Sequence, residues 1–175
     1  VHSMKKILIA LLMVFLIPTM CFAKPTIKYD KQRFDPLRGI YYLEGNVSEE
    51  TGSRLITADS AQVELYSLEV HAYGNITLTQ GNLVFTGDEV HVYGKDKNAV
   101  VAGDISFNDG NVSVTADRGS FNWGNKDATF DGDVSIYADD NAFAYSTQYL
   151  LQERDSNGQI KTNEITYNIR DAVFH

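Results

Sequence analysis

The amino-acid sequence predicts an all-β fold, an elongated and slightly twisted antiparallel β-sandwich built from four repeats of about 29 residues. Three observations lead to it. A glycine-led triplet returns at a constant spacing, apolar and polar residues alternate with a period of two around it, and no proline follows Pro36. The spacing indicates stacked units, the alternation indicates half-buried strands, and the lack of proline suits a backbone that pairs in a sheet.

Two sequence markers define the repeat, and both keep the spacing of 29 residues. The first is glycine, then Asn or Asp, then Val or Ile; it begins at Gly45, Gly74, Gly103 and Gly132. The second is an aspartate after Ala or Gly, at Asp59, Asp88 and Asp117. Units of this length bury their apolar faces by stacking on one another.

Each repeat is predicted to contain two long strands that bend in the middle. From Val70 to Leu78, alternate positions are apolar or glycine and the intervening ones are polar. The glycine of the triplet falls on the inner face, where a missing side chain allows a bend. The apolar phase then slips by one residue at each repeated aspartate, which predicts a bulge or corner there. Four repeats of this kind place two sheets face to face around an apolar interior.

The inward positions are the candidate ligand-binding residues. They are Ile76, Leu78, Phe85, Val92, Ile105, Phe107, Val114, Phe121, Trp123, Val134, Ile136, Phe143 and Leu150. These side chains form either a closed core or a groove, open along one edge, that holds acyl chains. Each methylene group buried there contributes about 0.8 kcal/mol. The pattern alone leaves both interpretations open.

The first 23 residues have the order of a secretory signal peptide. Lys5 and Lys6 precede an apolar run over residues 7–17, and Ala23 ends a small-residue cleavage site. Residues 1–3 precede Met4, the expected natural start, and residues 24–175 are expected to form a single domain. A leader retained as a membrane anchor is the alternative, although the run is shorter than a bilayer span. Export without cysteine in the mature chain favours the periplasm of a Gram-negative cell.

Composition excludes several classes of function. The formal charge is −8, and removing the two leader lysines leaves 13 positive against 23 negative groups, or −10. Such an acidic chain, without a basic block, is a poor nucleic-acid binder. The single cysteine lies in the leader, which excludes disulfides and thiol catalysis in the mature chain. We find no Ser-His-Asp set, phosphate-binding loop or distinct carboxylate pair, and therefore expect no enzyme and no cofactor.

The sequence also predicts no metal site. Asp59, Asp88 and Asp117 lack the glycine-rich loops of calcium-binding solenoids, and we interpret them as bulge residues bonded to their own backbone. His71 and His91 lie on the outer face by the alternation. Zinc needs two more ligands beside them, and no motif supplies these.

Both ends of the chain are predicted to be edge strands, over residues 26–31 and 164–174. The residues expected to form the contacts are Ile27, Tyr29, Lys31, Ile165, Tyr167 and Ile169. Unpaired edges recruit other strands, so we expect copies to join head to tail. The alternative is that Lys28, Lys31 and Arg170 keep the edges solvated and the protein monomeric.

Taken together, these motifs resemble the LptA/OstA-like family. The resemblance rests on the leader and on the repeated strands with the motifs Gly-[Asn/Asp]-[Val/Ile] and [Ala/Gly]-Asp. An opening strand over residues 27–32 and a closing strand over residues 163–167 fit the same family. The resemblance spans residues 25–174. Glu49 departs from the pattern, since the other repeats have Leu78, Phe107 and Ile136 there.

The resemblance implies a periplasmic β-jellyroll that carries lipopolysaccharide from the inner towards the outer membrane, stacks end to end and docks onto partners in both membranes. It favours the open groove over the closed core. Two other functions stay open: a structural or adhesive β-solenoid, and a membrane-anchored LptC-like transport partner.

Overall fold

The computed structural model describes residues 26–175, so the predicted signal peptide and its cleavage site lie outside the described residues. Eleven strands form one sheet in the order β1-β3-β4-β5-β6-β7-β8-β9-β10-β11, with β2 also paired to β3. The strands are β1 Thr26–Lys28, β2 Lys31–Asp35, β3 Ile40–Thr51, β4 Arg54–Glu64, β5 Glu69–Gln80, β6 Leu83–Tyr93, β7 Asn98–Asn108, β8 Ser113–Asn122, β9 Asp127–Tyr137, β10 Ile160–Asn168 and β11 Val173–Phe174. Within residues 26–175, no helix has the length and apolar character needed to cross a membrane.

All pairings between these strands are antiparallel, which confirms the predicted fold class. The coils of a right-handed β-helix stack in parallel, so the β-solenoid alternative is wrong in its fold. The predicted pairs of long strands are β3 with β4, β5 with β6, and β7 with β8.

A bulge interrupts every long strand at the glycine-led triplet or at the repeated aspartate, as predicted. Between β4 and β5, Thr57 pairs with Thr77 but Ser60 pairs with Tyr73, so the register shifts across Asp59. A bulge bends its strand, and here both arms of a strand turn towards one interior. In β7, for example, Val101 before the bulge and Ile105 and Phe107 after it belong to one apolar cluster.

The glycine of the triplet has a different role from the one predicted. Gly74 and Asn75 have φ values of 80° and 48°, and a Cβ on Gly74 would come within 3.0 Å of the Asp59 carboxylate. The missing side chain therefore faces the exposed aspartate of the preceding strand, and the prediction that the glycine lies on the inner face is wrong. Glycine is required because the backbone is left-handed and the carboxylate approaches closely.

The repeated aspartate bonds to the next strand rather than to its own backbone. Asn75 Nδ2 donates a hydrogen bond of 2.9 Å to Asp59 Oδ2, and Asn46 Nδ2 donates one of 2.9 Å to Asp30 Oδ2. Asp30 extends the aspartate series by one more step of 29 residues, which the sequence analysis did not use. The amide hydrogen bond is specific to these two repeats, because Asp104 and Asp133 stand where Asn46 and Asn75 donate. What the later repeats keep is the close approach of Asp88 to Gly103 and of Asp117 to Gly132.

The fourth repeat does not continue the pattern. After β9 the chain forms two 3₁₀ segments, Asp140–Ala142 and Tyr145–Glu153, and Leu150 lies in the second, not on a strand as predicted. The buried residues of that segment, Thr147 and Leu150, are three apart, which is the period of a 3₁₀ turn and not of a strand. Strand β10 takes the place next to β9.

The C-terminal part of the interior is closely packed. Five side chains there are at most 1% exposed: Val114, Val134, Ile136, Ile160 and Phe174. Aromatic rings join this region, since Phe107 lies 5.9 Å from Phe130 and 6.1 Å from Tyr167 between ring centroids. This end of the sandwich is a closed core.

Candidate lipid-binding cavity

An apolar cavity of about 220 Å³ lies between the two arms of the strands, from β1 and β3 at one end to β9 at the other. Its walls carry the inward side chains on both sides of the bulges. The predicted residues that line it are Ile76, Leu78, Phe85, Val92, Ile105, Phe107 and Phe121. The alternation of the middle repeats therefore places these side chains around one space.

The other predicted residues do not line this cavity. Val114, Val134, Ile136 and Phe143 are buried in the closed C-terminal core, between 0% and 5% exposed. Trp123 is half-buried and packs against a neighbouring cluster. The closed core and the ligand-holding space, which the sequence left as alternatives, thus occur in different parts of the molecule. The middle contains the cavity, and the C-terminal end is a filled core.

Further lining residues come from the first repeat, which the sequence analysis left out of the candidate set. Leu43, Val47, Ala58 and Val63 contribute to the wall and are buried. Their signal was present, because Leu43 and Val47 occupy the same alternate positions around the glycine triplet as Ala72 and Ile76 do in the second repeat. In the first repeat, Glu49 interrupts this apolar face.

Glu49 points inward and is paired with an arginine. Its Oε1 accepts a hydrogen bond of 3.3 Å from Arg54 Nη2 across the β3–β4 turn, and the Arg54 and Glu49 side chains are 4% and 5% exposed. Glu49 also lines the cavity. The departure from the repeat pattern is thus a buried ion pair, which keeps the net charge of this part of the wall at zero.

The two ends of the sheet differ from the predicted edge strands. Residues 26–31 form parts of two strands rather than one, because β1 ends at Lys28 and β2 begins at Lys31. Both pair only with β3 among the described strands, so Ile27, Tyr29 and Lys31 lie along one edge of the sheet.

At the other end the predicted edge is largely covered. Ile165 and Tyr167 are 4% and 2% exposed, and Tyr167 pairs with Phe174 of β11. Ile169 lies beyond the end of β10. Within the described chain, Ile160 to Ile165 has a strand partner on the β9 side only, whereas the Thr166 carbonyl accepts a hydrogen bond of 2.8 Å from the His175 amide. The available edge lies earlier in the sequence than predicted.

The outer face holds a group of titratable side chains that the sequence analysis did not bring together. Glu64 Oε2 lies 2.8 Å and Glu69 Oε2 lies 3.1 Å from His71 Nε2, and the His71 and His91 Nδ1 atoms are 2.6 Å apart. The strand pairing thus places two carboxylates beside His71, which no sequence motif indicated.

Comparison with known proteins gives a family and a fold. Residues 55–173 match the family described as LptA/(LptD N-terminal domain) LPS transport protein. Among solved structures, the fold is similar to that of LptH, described as the LptA homologous periplasmic component of the lipopolysaccharide transport device of Pseudomonas aeruginosa. The TM-score is 0.50 at 14% identity, over 61% of this chain and 80% of LptH. No curated protein is similar enough to the chain to match it.

Proposed function

Because the chain belongs to the LptA and LptD N-terminal domain family of lipopolysaccharide transport proteins, we propose that it is a periplasmic carrier that grips the acyl chains of lipopolysaccharide and passes the lipid towards the outer membrane. The observation that most supports this proposal is the apolar cavity between the arms of the sheet. The periplasmic location rests on the predicted leader and on the description of LptH.

The chemistry of the cavity favours acyl chains over the phosphorylated headgroup. Its wall is built mainly from aliphatic and aromatic side chains, and the charged residue in it, Glu49, is paired with Arg54. Each methylene group buried against such a wall contributes about 0.8 kcal/mol. The formal charge of −8 disfavours attraction of phosphate groups from a distance. The headgroup is thus expected to remain outside.

Photo-crosslinking tests this arrangement. Leu78 and Phe85 are cross-strand partners on the cavity wall, and Thr86, next to Phe85, is the control on the opposite face. A benzophenone side chain at Leu78 or Phe85 should label lipopolysaccharide, and the same group at Thr86 should not. Lipopolysaccharide stripped of both its ester-linked and its amide-linked acyl chains should fail to compete. Labelling from Thr86 alone, or full competition by the deacylated lipid, would show that the cavity does not hold acyl chains.

We further propose that copies join head to tail through the ends of the sheet, and that the same edges dock onto inner- and outer-membrane components with matching jellyroll edges. The edge of β1 and β2 and the edge of β10 between Ile160 and Ile165 each have one strand partner in the described chain. Backbone donors and acceptors on such edges favour the addition of a further strand. A head-to-tail contact of this kind does not close and grows into rods.

Disulfide trapping distinguishes this contact from a symmetric dimer. Lys28 and Lys161 are exposed residues of β1 and β10, and each is replaced by cysteine in a separate Cys21→Ser chain. Mixing the two variants should give mainly a mixed disulfide dimer that neither forms alone. Homodimers of one variant, or monomers throughout, would contradict the head-to-tail arrangement.

The leader is proposed to be removed after Ala23. A mature N-terminus at Lys24, measured by mass spectrometry of periplasmic protein, supports the carrier. Retention of residues 1–23 in the membrane fraction would instead favour the LptC-like membrane-anchored partner.

A further inference from the structure

The outer face of the β4–β6 region carries a connected group of two histidines and three glutamates, called here the outer cluster: Glu64, Glu69, His71, Glu89 and His91. His71 Nε2 lies 2.8 Å from Glu64 Oε2 and 3.1 Å from Glu69 Oε2. The His71 and His91 Nδ1 atoms lie 2.6 Å apart, and His91 Nε2 lies 2.5 Å from Glu89 Oε1. The five side chains are between 14% and 43% exposed, so ions in solution can reach them.

The strand register explains why these residues meet. Glu64 ends β4 and Glu69 begins β5, and the two are direct cross-strand partners beside the turn. His71 lies two residues beyond Glu69 on the same face of β5, and its partner in β6 is His91. Side chains directly opposite or diagonal on one face are within reach of one another. The outer cluster is therefore a product of the sheet and not of a flexible loop.

Without a metal, each histidine Nε2 faces a glutamate oxygen and the two Nδ1 atoms face each other. A ring N–H can donate to a carboxylate, and one Nδ1–H can donate to the other Nδ1. The groups around them are Glu64 from β4, Glu69 and Tyr73 from β5, and Glu89 and Tyr93 from β6.

We propose that the outer cluster binds a divalent transition-metal cation, such as zinc, through Glu64 Oε2, Glu69 Oε2 and His71 Nε2. The ligands of a tetrahedral zinc ion, each about 2.0–2.2 Å from the metal, stand about 3.3–3.6 Å apart. The separations from His71 Nε2 are 2.8 and 3.1 Å, and all three ligand atoms lie within 4.8 Å of one another, so a small outward rotation of the two carboxylates brings them to this spacing. An imidazole ligand selects transition metals over calcium and magnesium.

The second histidine supplies the orienting contact that a metal-bound imidazole needs. When the cation replaces the proton on His71 Nε2, that proton leaves to solvent and the ring keeps its proton on Nδ1. This Nδ1–H donates to His91 Nδ1, and His91 Nε2–H donates to Glu89 Oε1, so every remaining hydrogen bond is preserved. An imidazole whose second nitrogen donates in this way is a fixed and more basic ligand. His91 and Glu89 are therefore positioning residues.

The bound cation would connect β4 to β5 directly on the face opposite the cavity, and β6 through the hydrogen bond between His71 and His91. It neutralises carboxylates that otherwise lie close together, and it stabilises the folded chain because the unfolded chain does not hold the five side chains in place. The proposal is independent of lipid binding, since no residue of the outer cluster lines the described cavity.

Calorimetric titration with zinc chloride tests the proposal on the full chain, expressed without a histidine tag. One equivalent should bind, with a rise in the unfolding temperature. His71→Ala should abolish binding, and Glu69→Gln should do so while keeping the side-chain volume. His91→Asn should weaken binding about 10- to 100-fold. His175→Ala is the control, because His175 contacts Asp127 outside the outer cluster, and it should bind like the parent.

The pH dependence gives a second readout. Because zinc displaces the proton on His71 Nε2, the affinity of the parent should fall as the pH is lowered, and His71→Ala should show no zinc binding at any pH tested. The proposal is wrong if the parent shows no zinc binding, if Glu69→Gln binds as tightly as the parent, or if His175→Ala loses binding equally. The His71 and Glu69 variants should still crosslink lipopolysaccharide as the parent does. A loss of zinc binding can then be told apart from a loss of the proposed carrier function.

Discussion

The buried pair of Glu49 and Arg54 allows the cost of charge in the cavity wall to be measured. We consider Arg54→Leu, which removes the guanidinium 3.3 Å from Glu49 Oε1. The residues one repeat of 29 positions after Glu49 and Arg54 are Leu78 and Leu83. Both leucines line the cavity. The substitution therefore installs the residue that the second repeat already uses at this position.

The expected effect is large because both side chains are at most 5% exposed. Removing one partner of a buried ion pair takes a countercharge away from a buried carboxylate and costs about 3–5 kcal/mol. For a chain of this size, that corresponds to a fall of about 6–20 °C in the unfolding temperature. The double variant Glu49→Leu/Arg54→Leu recreates the leucine pair of the second repeat, and it should be as stable as the parent or more so.

Thermal unfolding followed by circular dichroism measures these differences. Arg118→Leu is the matched control, because Arg118 contacts Asp131 at 2.8 Å while the two side chains are 60% and 42% exposed. An exposed pair contributes about 0–1 kcal/mol, so this variant should unfold within a few degrees of the parent. The double variant should also retain lipopolysaccharide binding, since its wall is more apolar.

Two results would refute the reasoning. If Arg54→Leu is no less stable than Arg118→Leu, the pair does not act as a buried ion pair. If the double variant is as unstable as Arg54→Leu, the cost comes from lost packing of the arginine side chain and not from the carboxylate left behind.

Two further predictions concern the bulges and the closed end. Gly103→Ala should destabilise the protein by about 1–3 kcal/mol more than Gly81→Ala in urea unfolding. Both glycines have positive φ, but only at Gly103 would a Cβ meet a neighbouring carboxylate, that of Asp88. Equal losses of stability in the two variants would contradict this explanation. Burial and the nearby Asp109 carboxylate raise the pKa of Tyr167 to about 12, against about 10 in an unfolded chain. The stability of the parent should therefore fall between about pH 10 and pH 12, and Tyr167→Phe should lose that part of the decline; identical pH profiles would contradict it.

The repeat and its alternation were sufficient to predict most of the fold. The spacing of the glycine triplets gives the first three strand pairs, and the phase slip at Asp59 gives the place of the bulge. What the pattern could not give is the direction of the glycine Cβ, because period two assumes regular strands and Gly74 has a positive φ. The pattern also fails after β9, where Leu150 keeps the spacing of the repeat but lies in a 3₁₀ segment.

The site was predictable in part for the same reason. The alternation identified Leu78 and Phe107 as inward residues, but it does not say whether an inward residue meets empty space or another side chain, so Ile136 was grouped with them. The outer cluster depends on the register between β5 and β6, which joins His71 to His91 over 20 residues of sequence. Register is fixed by turns and bulges together, and the sequence analysis treated the two histidines separately.

The aromatic contacts at the C-terminal end of the cavity set a limit on length. Phe107, which lines the cavity, packs against Phe130 and Tyr167, and the interior beyond them is filled. A hydrocarbon chain lying in the cavity therefore meets rings at this end and has no path onward. Under the proposed function, a chain longer than the free path must fold back or leave its last carbons in water, which costs about 0.8 kcal/mol for each exposed methylene group. The protein would then select lipids by the length of their acyl chains, whatever headgroup they carry.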